Sequence, residues 1–423
     1  MSAALPEYEA VPDDLELTYL QVVHRHGERT PVRTRLESLI PNTWHLCEAN
    51  MAMFATILDF NAKQGESNDG IPIQYMPLKR FVERPVPNDN PVAFKSGACH
   101  LGQLTNLGRQ NLTNLGARLR SIYIEKLGYL SDRYSSKEVY IRSSDYPRTL
   151  DSVQQLVGGG LYPADKRDAG TTLEIRTRDL RDENLFSNRS CTRLGQLNKA
   201  FRQAVSDMHQ DKFIQLKDLL KEYVDDISLD SHPSANGIFD SVVAAKAHGY
   251  EFPPEFDDPL MRDLERVVVD ESFYGHMASN EVRRLGLGRL MGDIRDRMVF
   301  RANGSDKNSE EADFKLSVYS GHDSTVAPLL IILGGYDKRW PPFGSALIFE
   351  LFKSKATSMW PWKQPDHYVR VRYNDKVLEL PGCAQNGNHH ASGDQSLCTL
   401  DAFLAIVRDQ VPDDWEKECS HEG

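Results

Sequence analysis

Apolar positions along the chain fall into short, nearly continuous runs separated by longer stretches with helical spacing. Residues 15–23 (LELTYLQVV) are rich in β-branched and aromatic side chains, the pattern of a strand buried on both faces. Glu138–Ile141 and Phe314–Tyr319 predict two further strands, and Ala346–Phe352 and Tyr368–Tyr373 alternate as two more. Leu104, Leu107, Leu112, Leu115, Leu119 and Ile122 trace one helical stripe, with Thr105 as its N-cap. A helix is expected from about Thr149 to Val157, stopped by the triple glycine at 158–160. Others are expected from Thr325–Pro328 through LLIILGG and at Leu400–Val407. Residues 33–98 are irregular, apart from an apolar, helix-compatible piece at Met51–Phe60 and a Pro-rich stretch from Arg84 to Pro91. From about 165 to 310 the pattern is charged and helix-like, with no convincing strand.

Strands alternating with helices predict an α/β fold, with a largely parallel central sheet flanked by helices and an inserted, mainly helical cap. The expected division is a discontinuous core at 14–165 and 310–423, a cap at 166–309, and a smaller irregular insertion at 33–98 near the pocket. At 40% hydrophobic and 26% charged the composition is that of a soluble globular chain. A net charge of −11 argues against nucleic acid or an anionic membrane as a bulk partner. No stretch approaches 18 apolar residues, so no transmembrane helix is expected. The expected oligomeric state is a monomer or weak dimer. The opening residues, MSAALPEYEAVPDDLELTYL, lack a basic n-region and an apolar h-region. A cytoplasmic location is therefore favoured, with a secretory or organellar mature form as the alternative. Six cysteines without a CxxC argue against a metal site, and Cys383 with Cys398 is the pair that spacing favours for a disulfide. Sequons begin at Asn111, Asn188 and Asn303, about as many as chance provides.

Each of three strands is followed at once by a charged motif, and in open α/β sheets ligands bind beyond the carboxyl ends of strands. The first motif, HRHGERTP at 24–31, holds His26 between Arg25 and Arg29. Two fixed cations should lower the imidazole pKa and keep the ring neutral, while inviting a phosphate beside it. The second is RSSDYPRT at 142–149 and the third SGHDST at 320–325. Together they offer Arg25, Arg29 and Arg142 as guanidinium forks for phosphate oxygens. His322 adds a further phosphate contact, His26 is the candidate nucleophile, and Asp323 is the candidate general acid. With three arginines supplying positive charge, no metal and no cofactor is required; the sequence also has no HExxH, calcium loop or Cys/His cluster. GxSxG is absent, which leaves a serine hydrolase without its elbow.

Plainer readings compete at several positions. Arg142 could be a strand-end salt bridge. Arg148 is expected to be structural, reaching Asp145. His24 is read as a core histidine, and His389-His390 as a solvated loop rather than a metal pair. Met51–Phe60 is read as cap packing ahead of an acyl channel.

RHGxRxP near the start, RSSDxxRT in mid-chain and GHD towards the end resemble the histidine acid phosphatases of the phosphoglycerate-mutase-like group. GQLTNLGRQ at 102–110, LGARLR at 115–120, DKRWPPF at 337–343 and PGC…CTLDAF at 381–403 resemble its lysophosphatidic acid phosphatase branch in particular. The resemblance spans about residues 14 to 408 and is weakest at 34–94 and 200–300. It implies an α/β core with a helical cap, phosphate binding by Arg25, Arg29, Arg142 and His322, nucleophilic His26 and proton-donating Asp323. The expected activity is metal-independent hydrolysis of phosphate monoesters through a phosphohistidine, on lysophosphatidic acid or a similar small ester. The alternatives are a phytase-like or broad-specificity acid phosphatase and, behind these, a non-catalytic phosphoester-binding protein. An apolar groove leading from His26 would favour lipid; a basic bowl would favour phytate.

Overall fold

A computed structural model describes residues 8–58, 73–82, 97–304, 309–355 and 366–420; the Pro-rich stretch 84–91 lies outside the described residues. Its strands are β1 (Leu15–Arg25), β2 (Ala52–Leu58), β3 (Ile73–Lys79), β4 (Val139–Ser143), β5 (Leu316–Gly321), β6 (Ala346–Ser354), β7 (His367–Tyr373), β8 (Lys376–Leu378) and β9 (Cys398–Thr399). Its α-helices are α1 (Asn106–Arg120), α2 (Pro147–Gln154), α3 (Thr192–Met208), α4 (Gln210–Leu220), α5 (Ala235–Ala247), α6 (Asp258–Ala278), α7 (Asn280–Ala302), α8 (Asp323–Leu333), α9 (Leu400–Arg408) and α10 (Trp415–Ser420).

Seven strands form the main sheet in the order β4-β5-β1-β6-β7-β8, with β9 beside β7. β4, β5 and β1 run parallel, while β6 reverses against β1 and β7 reverses again. Four strands (β4, β5, β1 and β7) thus point one way and three the other. The sheet is mixed, and the three motifs all belong to its parallel half. Both faces are covered, which is why β1 reads as a mostly apolar run. Tyr19 and Val23 pack into the layer of α7, α8 and α9, whereas Leu20 and Val22 pack against α1 and α2.

Thr105 caps α1 by accepting from the Gly108 backbone N–H at 3.3 Å. The triple glycine does not stop the following helix. α2 begins two residues earlier than expected, with Pro147 in its first turn, and continues as a π-helical turn through Gln155–Leu161. Gly160 serves close packing against α1 instead: a Cβ there would lie 2.1 Å from the Thr113 carbonyl, and one on the facing Gly116 2.0 Å from that of Leu156. The piece expected as a helix at Met51–Phe60 is a strand over Ala52–Leu58, with its last two residues outside the described chain. Pairing with the distant Ile73–Lys79 decides the matter, and local apolarity cannot reveal such a partner.

Helices α3 to α6 make the cap, sharing a second core with Leu36, Ile40 and Trp44 from the 33–98 insertion. Helix α7, expected in the cap, instead lies on the sheet: Leu287, Leu290, Met291, Ile294 and Met298 enter the main core. The Gln21 side-chain amide donates to the Ile294 carbonyl at 2.9 Å, which ties α7 to β1. Disulfides join Cys47 to Cys99, Cys191 to Cys419 and Cys383 to Cys398, the last being the pair that spacing favoured. Among the described residues no helix is long and apolar enough to cross a membrane.

Candidate active site

The chain leaving β1 stays stitched to its neighbours. Arg25 N–H donates to the Ser345 carbonyl at 2.9 Å and His26 N–H to that of Gly321 at 3.0 Å. Gly27 follows because nothing larger fits: a Cβ there would stand 2.6 Å from the Gly108 carbonyl, where the first turn of α1 presses on the loop. From the adjacent strand, β5 ends at Gly321 and His322 becomes the N-cap residue of α8, its N–H donating to Thr325 Oγ1 at 2.9 Å. Asp323 opens that helix, whose amino-terminal dipole adds positive potential where an anion would sit.

His26 is buried, and its Nδ1 lies 2.9 Å from the Gly27 carbonyl. A carbonyl only accepts, so Nδ1 carries the proton and Nε2 keeps its lone pair. The ring pKa lies well below its ordinary value. Burial is the largest cause, and Arg25, Arg29, Arg148 and His322 add to it. The flanking arginines therefore act as expected but in second place. His322 stands edge-on, 5.6 Å away between ring centroids, its pKa pushed down to about 3 by burial and then by Arg148. Its Nε2 is 2.9 Å from Ser144 Oγ. Arg25 Nη2 pairs with Asp323 Oδ2 at 2.8 Å and Nη1 donates to the Pro341 carbonyl, while the guanidinium lies 4.2 Å over the Phe343 ring. Arg29 pairs with Asp240 of α5 at 2.7 Å. Burial raises the Asp240 pKa, but the Arg29 charge and hydrogen bond outweigh it and hold the carboxyl below its ordinary value.

Five of the six predicted residues come together here: Arg25, His26, Arg29, His322 and Asp323. Arg142 does not. It is 1% exposed within β4, and its two terminal nitrogens are engaged by Glu183 at 2.5 Å and Asn184 at 2.7 Å. The salt-bridge alternative describes it. Arg148 takes the place expected of Arg142. It sits in the first turn of α2 above the Tyr146 ring, lines the cleft, and brings Nη2 to 3.5 Å from His322 Nδ1. The strand ends at Ser143 and the helix begins at Pro147, so six residues of sequence separate a buried strand position from a helix position facing the site. Proline's preference for the first helical turn was the signal that could have found it.

The cleft over His26 and His322 holds about 660 Å³. Its far wall is the loop at 180–190, which presents Arg181, Phe186 and Arg189. Asn188 knots that loop by donating to the carbonyls of Leu180, Arg181 and Glu183 at 2.9–3.0 Å, so this sequon asparagine is buried and spent on structure. A second pocket of about 280 Å³ opens on the other side of Arg29 and Asp323, with Phe239, Val243, Phe273, Trp340 and Phe343 in its wall. Trp340 and Phe343 lie in the DKRWPPF stretch and Asn188 in a sequon, but nothing in the sequence marked any of these residues as walls, because single side chains on loops and cap helices carry no motif.

Elsewhere, His24 is a fully buried core residue, as expected. His389 and His390 lie on a loop with exposed neighbours, as expected, but their rings are held rather than free in solvent. Nδ1 of His389 is held by the Cys383 carbonyl at 2.8 Å, and the buried His390 by Asp14 and Ser392.

Residues 16–374 match the family model described as the histidine phosphatase superfamily, branch 2. The chain is 32% identical to a "probable acid phosphatase" of Schizosaccharomyces pombe, over 96% of this chain and 95% of that protein. It is 28% identical to lysophosphatidic acid phosphatase type 6 of Homo sapiens, over 96% of this chain and 86% of the relative. The same fold recurs in the apo phytase of Hafnia alvei, with a TM-score of 0.60 and 14% identity over 97% of this chain and 99% of that one. Histidine, arginines and aspartate gathered at two parallel strand ends thus have their place in a known lineage: the chain belongs to branch 2 of the histidine phosphatase superfamily and is an acid phosphatase, a hydrolase of phosphoric monoesters.

Proposed function

We propose that the enzyme works through a phosphohistidine on His26, with Asp323 as proton donor, and that its substrate is lysophosphatidic acid or a similar small apolar phosphate monoester. The observation that carries the mechanism is the fixed tautomer of His26, a neutral ring with Nε2 free for in-line attack. Arg25, Arg29 and Arg148, with the α8 amino terminus and His322, receive the phosphoryl oxygens. Arg148 enters this set in the place first expected of Arg142.

In the first step Nε2 bonds to phosphorus as the ester P–O bond breaks, and Asp323 passes its proton to the departing alkoxide. In the second step the resulting carboxylate takes a proton from water, whose oxygen displaces His26 and releases inorganic phosphate. Charge for both steps comes from arginines and helix dipole, so the reaction needs no metal. Before substrate arrives, Arg25 is paired with Asp323. A bound phosphate competes for that fork. A carboxyl that must start protonated beside a histidine that must start neutral gives an acid-shifted rate profile.

The lipid reading is supported by the aromatic pocket beside Asp323, on the leaving-group side, and by the 28% identical human relative. Arg181 and Arg189 on the opposite rim favour a second reading, a phytase-like activity on polyanionic esters. The test is phosphate release, with EDTA present, from lysophosphatidic acids of graded chain length, phytate and sugar phosphates, together with acid quenching on radiolabelled substrate. An acid-labile label on wild type and none on His26→Ala is expected. Label stable to acid on Ser or Thr would overturn the mechanism, a preference for phytate the lipid assignment, and loss of activity to EDTA the metal-free step.

A further inference from the structure

Two arginines of the phosphate site are held by carboxylates, and the two carboxylates differ in origin. Asp323, which pairs with Arg25, opens α8 on the core beside His322. Asp240, which pairs with Arg29, comes from the middle of α5 in the cap, 211 residues along the chain from its partner.

Asp240 has no oxygen to spare for substrate. Its Oδ1 accepts from Arg29 Nη2 at 2.7 Å and its Oδ2 from the Val32 backbone N–H at 3.3 Å, and the side chain is 14% exposed. Arg25, Arg29 and Arg35 all act on it electrostatically. Burial pulls its pKa up, but the charge and hydrogen bond of Arg29 outweigh that and keep the carboxyl ionised. Such a group is a poor acid for a leaving group and a firm anchor for a guanidinium.

What it anchors is the direction of the Arg29 fork. A guanidinium carries five N–H donors in one rigid plane. In Arg29, Nη1 donates to the Thr30 carbonyl at 3.1 Å and Nη2 to Asp240, which pins the plane at two corners. Nε is buried and has no partner among the described residues, so it is a donor left for a phosphoryl oxygen. Thr30 belongs to the same loop and can follow Arg29 if it turns. Asp240 cannot, because its neighbours Ile238, Phe239 and Val242 are packed into the cap core. Phosphoryl transfer depends chiefly on positioning and on charge fixed before the reaction begins. Without Asp240, Arg29 keeps its charge and loses its aim.

Building on Arg29 as a receiver of phosphoryl oxygens, we propose that Asp240 is a positioning residue, through which the cap holds the Arg29 fork as the transition state requires. The test is inhibition of p-nitrophenyl phosphate hydrolysis by two probes on the intact, disulfide-bonded chain. Vanadate in its five-coordinate form resembles the transition state, and inorganic phosphate resembles the bound ground state. Asp240→Asn should raise the vanadate Ki at least about tenfold. The phosphate Ki should change by less than about threefold, because Arg29 keeps its charge and a nearby negative charge is gone. Inhibition constants report folded molecules alone, so lowered stability moves neither. Arg29→Ala should weaken both probes, and adding Asp240→Asn to it should weaken vanadate no further. Where Asp240→Asn yields no folded chain, Asp240→Glu keeps the charge but shifts the carboxylate, and vanadate should again weaken more than phosphate. An unchanged vanadate Ki, equal weakening of both probes, or a loss that persists in the Arg29→Ala background overturns the proposal. If Arg29→Ala itself leaves both probes unchanged, the phosphate-binding role of Arg29 falls, and the proposal with it.

Discussion

Two surfaces face each other across the cleft. On one, Arg25, His26, His322 and Asp323 lie within two residues of the ends of β1 and β5, held by the same backbone ladder that builds the core. On the other, the loop at 180–190 has no ladder: it is knotted internally by Asn188 and held to the body by the buried Leu185 and by polar contacts from Arg142, Arg289 and Thr325. The first surface shares the cooperative stability of the domain. The second depends on a few buried polar groups, each costly to leave unpaired. Chemistry is thus set where the fold is stiffest, and the group attached to the phosphate meets a wall that can change without disturbing it.

Asp323→Asn should break the first surface hardest. On alkyl phosphates kcat should fall by about 10²- to 10⁴-fold, whereas formation of the phosphoenzyme from p-nitrophenyl phosphate, whose leaving group needs no proton, should fall far less. Equal losses in burst kinetics would remove Asp323 as the proton donor. Arg148→Ala should lower kcat/KM by about 10²- to 10³-fold with an unchanged unfolding midpoint. The contrast is sharpest with Arg142→Met. That substitution leaves the buried Glu183 without its counter-ion, at a cost of about 3–5 kcal/mol, read by urea unfolding, while the folded fraction keeps far more kcat/KM than Arg148→Ala does. The reverse pattern would return Arg142 to the phosphate site. Asn188→Ala should cost about 1–3 kcal/mol of stability and raise KM for bulky esters more than it lowers kcat.

A further effect is in pH. Burial lowers the pKa of His24 and of His276 to about 4 and that of His322 to about 3, against 6.5 unfolded. Each ring binds its proton more weakly when folded, so its contribution to stability is complete above the unfolded value and is lost as pH falls from there towards the folded one. Each should contribute a slope of up to about 1.4 kcal/mol per pH unit in that window. Asp240, held below its ordinary value, adds loss of the same sign at lower pH. Melting temperatures that rise between pH 6.5 and 4 would contradict this.

Most of the core was legible. A strand buried on both faces must be mostly apolar, and an amphipathic helix must repeat every three to four residues, so β1, β4, β5 and α1 are written in local pattern. The same holds for His26 between Arg25 and Arg29, because neutral imidazole and fixed cations are properties of adjacent residues. Other features were not legible, for reasons of distance along the chain. Ala52–Leu58 became a strand through a partner some twenty residues on. α7 joined the core through Gln21 and the sheet, although its charge pattern resembles that of the cap.

The arginines of RSSDYPRT show the division most plainly. By itself the sequence determined that a strand ends there, that a helix follows and that two guanidiniums stand six residues apart. Only the tertiary structure decided which one faces the cleft, because that depends on where the helix starts and on Glu183, 41 residues away, claiming Arg142. The same is true of the walls. Phe239, Phe273 and Trp340 gather beside Asp323, and Arg181 and Arg189 on the far rim, by packing between elements that no local pattern connects.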